Sequence, residues 1–208
     1  MRKIIPLLLM LVLFLTACAQ PPFAEYPLDD GAVCRMWGST AGIRRIELTD
    51  AEGNTTRFSL STPDIEPSAD GGVEWIDLDF DGHDDLRIRT KRYVDGDYRY
   101  ACFLWRDGTL VESTALGRMR ALTADAERQM LFARELHVSP DEYESEMRLG
   151  YVWHNGNPVA VEKRELIHYT VDEIYYFAEY TAEAGRPLEM VREKWIFADQ
   201  YDPDTVWN

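Results

Sequence analysis

The stretch Asp77-Leu-Asp-Phe-Asp-Gly-His-Asp-Asp-Leu86 decides how this chain is read. Carboxylates stand at Asp77, Asp79 and Asp81, a glycine at Gly82 and a further acid at Asp85. Counted from Asp77, these are positions one, three, five, six and nine of a calcium loop. Alternate residues supply oxygen ligands, and the glycine lets the backbone curl. His83, at position seven, supplies its main-chain carbonyl and not its imidazole. Position twelve is Ile88, where a helix-loop-helix calcium hand requires a bidentate glutamate. The loop therefore hands on to a strand. The expected site is one calcium ion held by Asp77, Asp79, Asp81, Asp85 and the His83 carbonyl.

Outward from the loop the chain reads as strands punctuated by turns. Leu86 to Tyr93 alternates Leu86, Ile88 and Thr90 with Arg87, Arg89 and Lys91, which predicts a strand with a basic stripe able to dock an acidic partner or to pair with neighbouring acids. Asp95-Gly-Asp97 turns it into Tyr98 to Trp105, and Arg106-Asp-Gly108 into Leu110 to Ser113. Ile43 to Leu48 and Thr56 to Leu60 flank Asp50-Ala-Glu-Gly-Asn54 as a hairpin, and Val73 to Leu78 leads into the loop. Downstream, Gln129 to Val138, Tyr143 to Trp153, Val159 to Tyr169, Val171 to Thr181 and Leu188 to Phe197 are separated by turns such as His154-Asn-Gly-Asn157. Leu122 to Arg128 has room for a short helical turn, and Thr170 to Ala184 is open to a rival reading as an amphipathic helix. The fold class is all-β: an antiparallel meander with a calcium loop.

The N-terminus reads as a targeting segment. Arg2 and Lys3 precede an apolar run from Ile4 to Leu15, too short to span a bilayer as a helix. Leu15-Thr-Ala-Cys18 is similar to the lipobox of bacterial lipoproteins. That likeness implies cleavage before Cys18, acylation of Cys18, and an extracytoplasmic protein in the cell envelope. Ala19 stands where an aspartate would signal retention at the inner membrane, which implies the outer membrane in a two-membrane cell. The expected organisation is a signal peptide over 1–17, lipidated cysteine and proline-bearing tether over 18–30, and one β-rich domain over 31–208. Cys34 and Cys102 can either close one disulfide in that oxidising compartment or rest as two buried thiols.

Composition narrows the partners. The chain carries a net charge of −15, and the basic Arg2 and Lys3 leave with the signal segment, so nothing here neutralises nucleic-acid phosphates. The histidines His83, His137, His154 and His168 lack metal-ligand spacing, and neither a nucleophile elbow nor a phosphate-cradling loop is present. A glycosidase needs two carboxyls at a set separation, and the sequence singles out no such pair. Trp75, Trp105, Trp153, Trp195, Tyr175, Tyr176 and Phe177 are expected in the core, with a surface role open to Trp153 beside a turn and Trp207 near the end.

Trp75 to Arg87 resembles the Asp-x-Asp-x-Asp-Gly-x-x-Asp-Leu calcium loops of FG-GAP-type β-propeller repeats. The later order of segments, the Tyr/Trp-rich Tyr98-Arg-Tyr-Ala-Cys-Phe-Leu-Trp105 and then Tyr151-Val-Trp-His-Asn-Gly156, resembles a family of bacterial exported proteins. That family includes a Xanthomonas periplasmic immunity protein that inhibits a lysozyme-like effector. The resemblance spans about half the domain, Trp75 to Lys163, and implies a calcium-binding, partial-propeller or lysozyme-inhibitor-like β fold without catalysis. It maps Asp77, Asp79, Asp81, the His83 carbonyl and Asp85 onto the ligands. No inhibitory element has a counterpart here. The expected function is a non-enzymatic binding module for an envelope or secreted protein, or for a glycan, touching the membrane through its lipid alone. The alternatives are an inhibitor or immunity protein against a cell-wall hydrolase, and thirdly a glycan-active hydrolase.

Overall fold

The computed structural model describes residues 20–28, 31–61, 66–139 and 143–207. Cys18 and the signal segment lie outside the described residues. Among the described residues no helix is long and apolar enough to cross a membrane.

The fold is all-β. Three antiparallel sheets follow one another along the chain, each strand pairs with its sequence neighbour, and none closes into a barrel. Sheet one holds β1 (Ala24–Pro27), β2 (Val33–Ser39), β3 (Gly42–Thr49) and β4 (Thr55–Ser59). Sheet two holds β5 (Val73–Ile76), β6 (Asp85–Arg92), β7 (Tyr98–Arg106) and β8 (Thr109–Glu112). After a 3₁₀ turn, Leu116–Arg118, sheet three runs through β9 (Thr123–Asp125), β10 (Met130–Ser139), β11 (Tyr143–His154), β12 (Asn157–Tyr169), β13 (Ile174–Thr181) and β14 (Glu189–Phe197). A one-turn helix, α1 (Pro203–Val206), closes the chain. At the β11–β12 turn, Asn155 and Gly156 take φ of 51° and 76°, the two successive positive angles of a type I′ hairpin.

Sheet two is the middle layer, buried on both faces. Leu86, Ile88, Phe103 and Trp105 pack against Cys34, Met36, Ile46 and Leu48 of sheet one. Tyr100, Cys102 and Leu104 point the other way, onto Leu116, Leu122, Leu131 and Ala133. A strand covered on both sides needs no polar alternation, which explains the nearly unbroken apolar run from Tyr100 to Trp105. A separate cluster joins Leu166, Phe177 and Ile196 of sheet three to Val206 and Trp207 at the C-terminal end.

Several expectations need correction. Part of the expected tether is β1, an edge strand. Phe23 and Tyr26 pack on the first core cluster, the Phe23 N–H donates to the Met36 carbonyl at 2.6 Å, and Trp37 Nε1 donates to the Gln20 carbonyl at 2.9 Å. Pro27 is tolerated because it ends a strand with a free edge. Cys34 and Cys102 are free, buried and on opposite sides of sheet two, so they are the two buried thiols and not a disulfide; burial pushes each up to about 12. Leu122 to Arg128 contains β9, and the rival helix is β13, whose Phe177 and Ala178 are buried in turn on its two faces.

The inner part of the basic stripe is paired within the fold, and of its three members Lys91 alone is exposed. Arg87 is 9% exposed; its Nε donates to Glu74 at 2.9 Å, its Nη1 donates to the Leu122 carbonyl at 2.6 Å, and its guanidinium lies 4.6 Å from the Tyr100 ring centre. Arg89 shares Glu74 at 3.1 Å. The tryptophans also exchange places. Trp153 donates its indole N–H to the Leu78 carbonyl at 2.8 Å inside the second core cluster, and Trp207 is 8% exposed, whereas Trp195 is 60% exposed.

Two outcomes are expected. Arg87→Ala leaves the half-buried Glu74 with Arg89 alone and orphans the Leu122 carbonyl, so urea denaturation should show a loss of about 2 kcal/mol; a loss under about 1 kcal/mol would mean that water reaches the site. Cys34 and Cys102 should resist a thiol reagent in native protein and react once urea is added, as read by absorbance.

Candidate metal centre

The loop bridges β5 and β6, and Ile76 pairs with Asp85 at its neck. Its curl is built by its first acid. Asp77 Oδ1 accepts the N–H groups of Phe80 at 2.6 Å and Asp81 at 3.2 Å, and Oδ2 accepts that of Gly82 at 3.0 Å. Phe80 and Gly82 take φ of 62° and 92°; glycine adopts such an angle freely, whereas Phe80 is held there by packing against the second core cluster. Leu78 is fully buried and anchors the loop to that cluster.

Asp85 closes the loop from within. Fully buried, it accepts the Leu78 N–H at 2.9 Å through Oδ2 and the Trp105 N–H at 2.8 Å through Oδ1, so one carboxylate ties the loop to β7. Burial pushes its carboxyl up to about 6, the two backbone hydrogen bonds oppose that rise, and the charges of Asp81 and Asp77 add to it.

Asp79 is the unsatisfied member. Its side chain is 3% exposed, and neither carboxylate oxygen makes a well-formed hydrogen bond. The guanidinium of Arg106 abuts it, and Arg106 Nη1 also lies 2.8 Å from Asp81 Oδ2 and donates to the Trp105 carbonyl at 2.9 Å.

One carboxylate oxygen from each of Asp77, Asp79 and Asp85 lies within 4.8 Å of the others, so this cluster can hold a metal ion. Asp81 stands apart: it accepts the His83 N–H at 2.9 Å and turns to Arg106. His83 helps to line a cavity of about 490 Å³ with Tyr26, Trp75 and Trp105. Three of the four expected acids therefore converge. A donor set of oxygens alone suits a hard cation, and the buried Asp79 carboxylate, paired with Arg106 but without a well-formed hydrogen bond, is the feature that a cation would satisfy. Arg106 escaped the sequence reading because it sits in an Asp-Gly turn. Only the pairing of Phe103 with Leu86 carries the end of β7 past β6 to the loop.

No family model and no curated protein matches this chain. One solved structure has a similar fold: a Xanthomonas type IV secretion system related protein superposes with a TM-score of 0.51 over 84% of this chain and 100% of that one, at 13% identity. Identity that low speaks for shared architecture alone.

A divalent cation at this cluster would compete with Arg106 for Asp79. Arg106→Gln should therefore lower the melting temperature in chelator and tighten calcium binding by roughly tenfold, about 1.4 kcal/mol, in calorimetry. Weaker binding in that variant would make Arg106 a support of the site and not its rival.

Proposed function

We propose that this chain is a lipid-anchored, extracytoplasmic envelope protein whose β-domain is stabilised by calcium and acts by binding a partner, without turnover. The observation that carries the calcium reading is Asp79: a carboxylate removed from water, beside two others, with only an arginine at hand. Asp77, Asp79 and Asp85 would hold the ion, and the sequence-expected Asp81 and His83 carbonyl would join them on release of Asp81 from Arg106. All come from one short segment, so few positions are left for water, and a large hard ion acidifies bound water far less than zinc does. Support for a hydrolytic centre at the loop is correspondingly thin.

The lipobox-like Leu15-Thr-Ala-Cys18 supports the anchor, and Ala19 the outer membrane of a two-membrane cell. The fold neighbour is described as related to a type IV secretion system. Carried over to this chain, that description favours an envelope or secreted partner. A second reading, an inhibitor or immunity protein against a lysozyme-like hydrolase, draws on the resemblance of the loop and of the segments after it to the exported family. Capture from envelope extracts separates the two: a lytic enzyme should be retained, and protected substrate recovered, only under the second.

Calcium should raise the melting temperature by several degrees at saturating concentration, since an ion at one hundred times its Kd adds about 2.7 kcal/mol. A Kd on the order of 10⁻⁴ M is expected of an extracellular site. Asp79→Asn should abolish the shift; titration heat and thermal shift both absent in the wild type would remove calcium from the account. Cys18→Ser should release the protein from membranes or block its processing, and an unmodified mature cysteine in mass spectra would exclude the anchor.

A further inference from the structure

We infer that the outer part of sheet three is the docking face of the proposed binding module, and that its partner presents a basic, amphipathic protein segment. The inference rests on the binding-module reading and assigns its surface.

The two faces of sheet three differ. One is closed by the chain itself: Leu166, Phe177 and Ile196 lie under Val206 and Trp207, and Tyr201 stacks on Tyr175 at 3.9 Å. The opposite face begins in the core with Leu131 and Ala133, then runs outward along the same strands beyond sheet two. No described element covers it there.

The strand register sorts that face into rows. In the first row beyond the core Glu135 lies opposite Met147, Met147 opposite Glu165, Glu165 opposite the buried Ala178, and Ala178 opposite Glu193. Glutamates thus recur on every second strand, about 10 Å apart. Outside them Tyr176 pairs with Trp195, then Tyr143 with Tyr169. Ring centres are 6.5 Å apart from Tyr143 to Tyr169, 5.9 Å from Tyr169 to Trp195 and 4.8 Å from Trp195 to Tyr176. Trp195 is 60% exposed and Phe197 beside it 58%. A cavity of about 640 Å³ opens between Glu135, Glu165, Tyr143 and Tyr169.

Charge chooses the occupant. The face carries three glutamates against one lysine, Lys163, which already sits 3.0 Å from Glu165, and the whole chain is at −15. A second copy docking face to face would set one glutamate row against the other. A neutral glycan would stack on the rings and donate hydroxyls to the carboxylates, but it brings no positive charge to offset a negative row on a chain at −15. A basic segment satisfies both: cations reach the glutamate row while apolar groups and guanidinium planes cover tyrosine and tryptophan faces. Successive heptad positions of a helix are about 10.5 Å apart, which matches the row spacing.

The test uses mature protein in nanodiscs of uncharged lipid, with empty discs as the blank. The probe is a helical peptide with one lysine at the same place in each heptad and leucines beside it. Comparison probes are its glutamate-substituted form and a neutral chito-oligosaccharide. Binding of the lysine peptide should weaken with salt, fall at least tenfold in the combined Glu135→Gln, Glu165→Gln and Glu193→Gln variant, and fall again in Trp195→Ala. Unchanged calcium-induced thermal shifts would show both variants to be folded, so that failure here leaves the calcium site standing. Equal binding of the glutamate peptide, indifference of the triple variant, or binding of the oligosaccharide in place of the peptide would overturn the assignment.

Discussion

The double-sided burial of sheet two governs the rest of this domain. A four-stranded sheet alone exposes too much apolar surface to stand in water, and here sheets one and three remove it from opposite sides. The ends of β5, β6 and β7 meet at Asp85, whose two backbone hydrogen bonds fix the loop to the middle layer. Placing that carboxylate where water cannot solvate it costs stability, as its raised pKa records. A local cation, whether Arg106 or a metal, reduces the cost by offsetting the charge of its neighbours.

Most of the fold was legible because the turns are written in Asn, Asp and Gly and the strands between them are long. The β11–β12 hairpin is the clearest case: Asn155-Gly156 sets the register of two strands that together form the backbone of sheet three. β1 was illegible because four residues ending in proline carry no period, and only Phe23 and Tyr26 reaching the core reveal it. The basic stripe misled for a different reason. Alternation on β6 is real, but the first half of that strand is covered on both faces, so Arg87 and Arg89 are spent on ion pairs with Glu74 and only Lys91 reaches the surface.

In the candidate site, local chemistry was legible and tertiary chemistry was not. Asp77, Asp79 and Asp85 converge because the spacing of one short loop dictates it. Arg106 comes from a strand two positions along the sheet, and no spacing rule announces it. The tryptophans obey the same division. The turn beside Trp153 leaves a surface role open to it in the sequence, yet a buried carbonyl on the loop claims its N–H. Trp195, on a regular strand, is exposed because β14 is the edge of its sheet.

That Trp153 bond also settles how the loop can influence the far face of sheet three. Trp153 lies on β11, the strand that carries Tyr143 and Met147 outward, and its indole holds the Leu78 carbonyl between Asp77 and Asp79. Met147 is six residues from Trp153, about 20 Å along an extended strand. Over that distance a shift of a few tenths of an ångström at the loop does not reposition Glu135 or Glu165. What reaches them is stability: Leu78, Phe80 and Trp153 belong to the cluster that seats sheet three on sheet two, so satisfying Asp79 firms that seat as a whole. A cation at the loop would therefore act on the outer face through the fraction of molecules in which sheet three is docked, and not through any change in the geometry of the face.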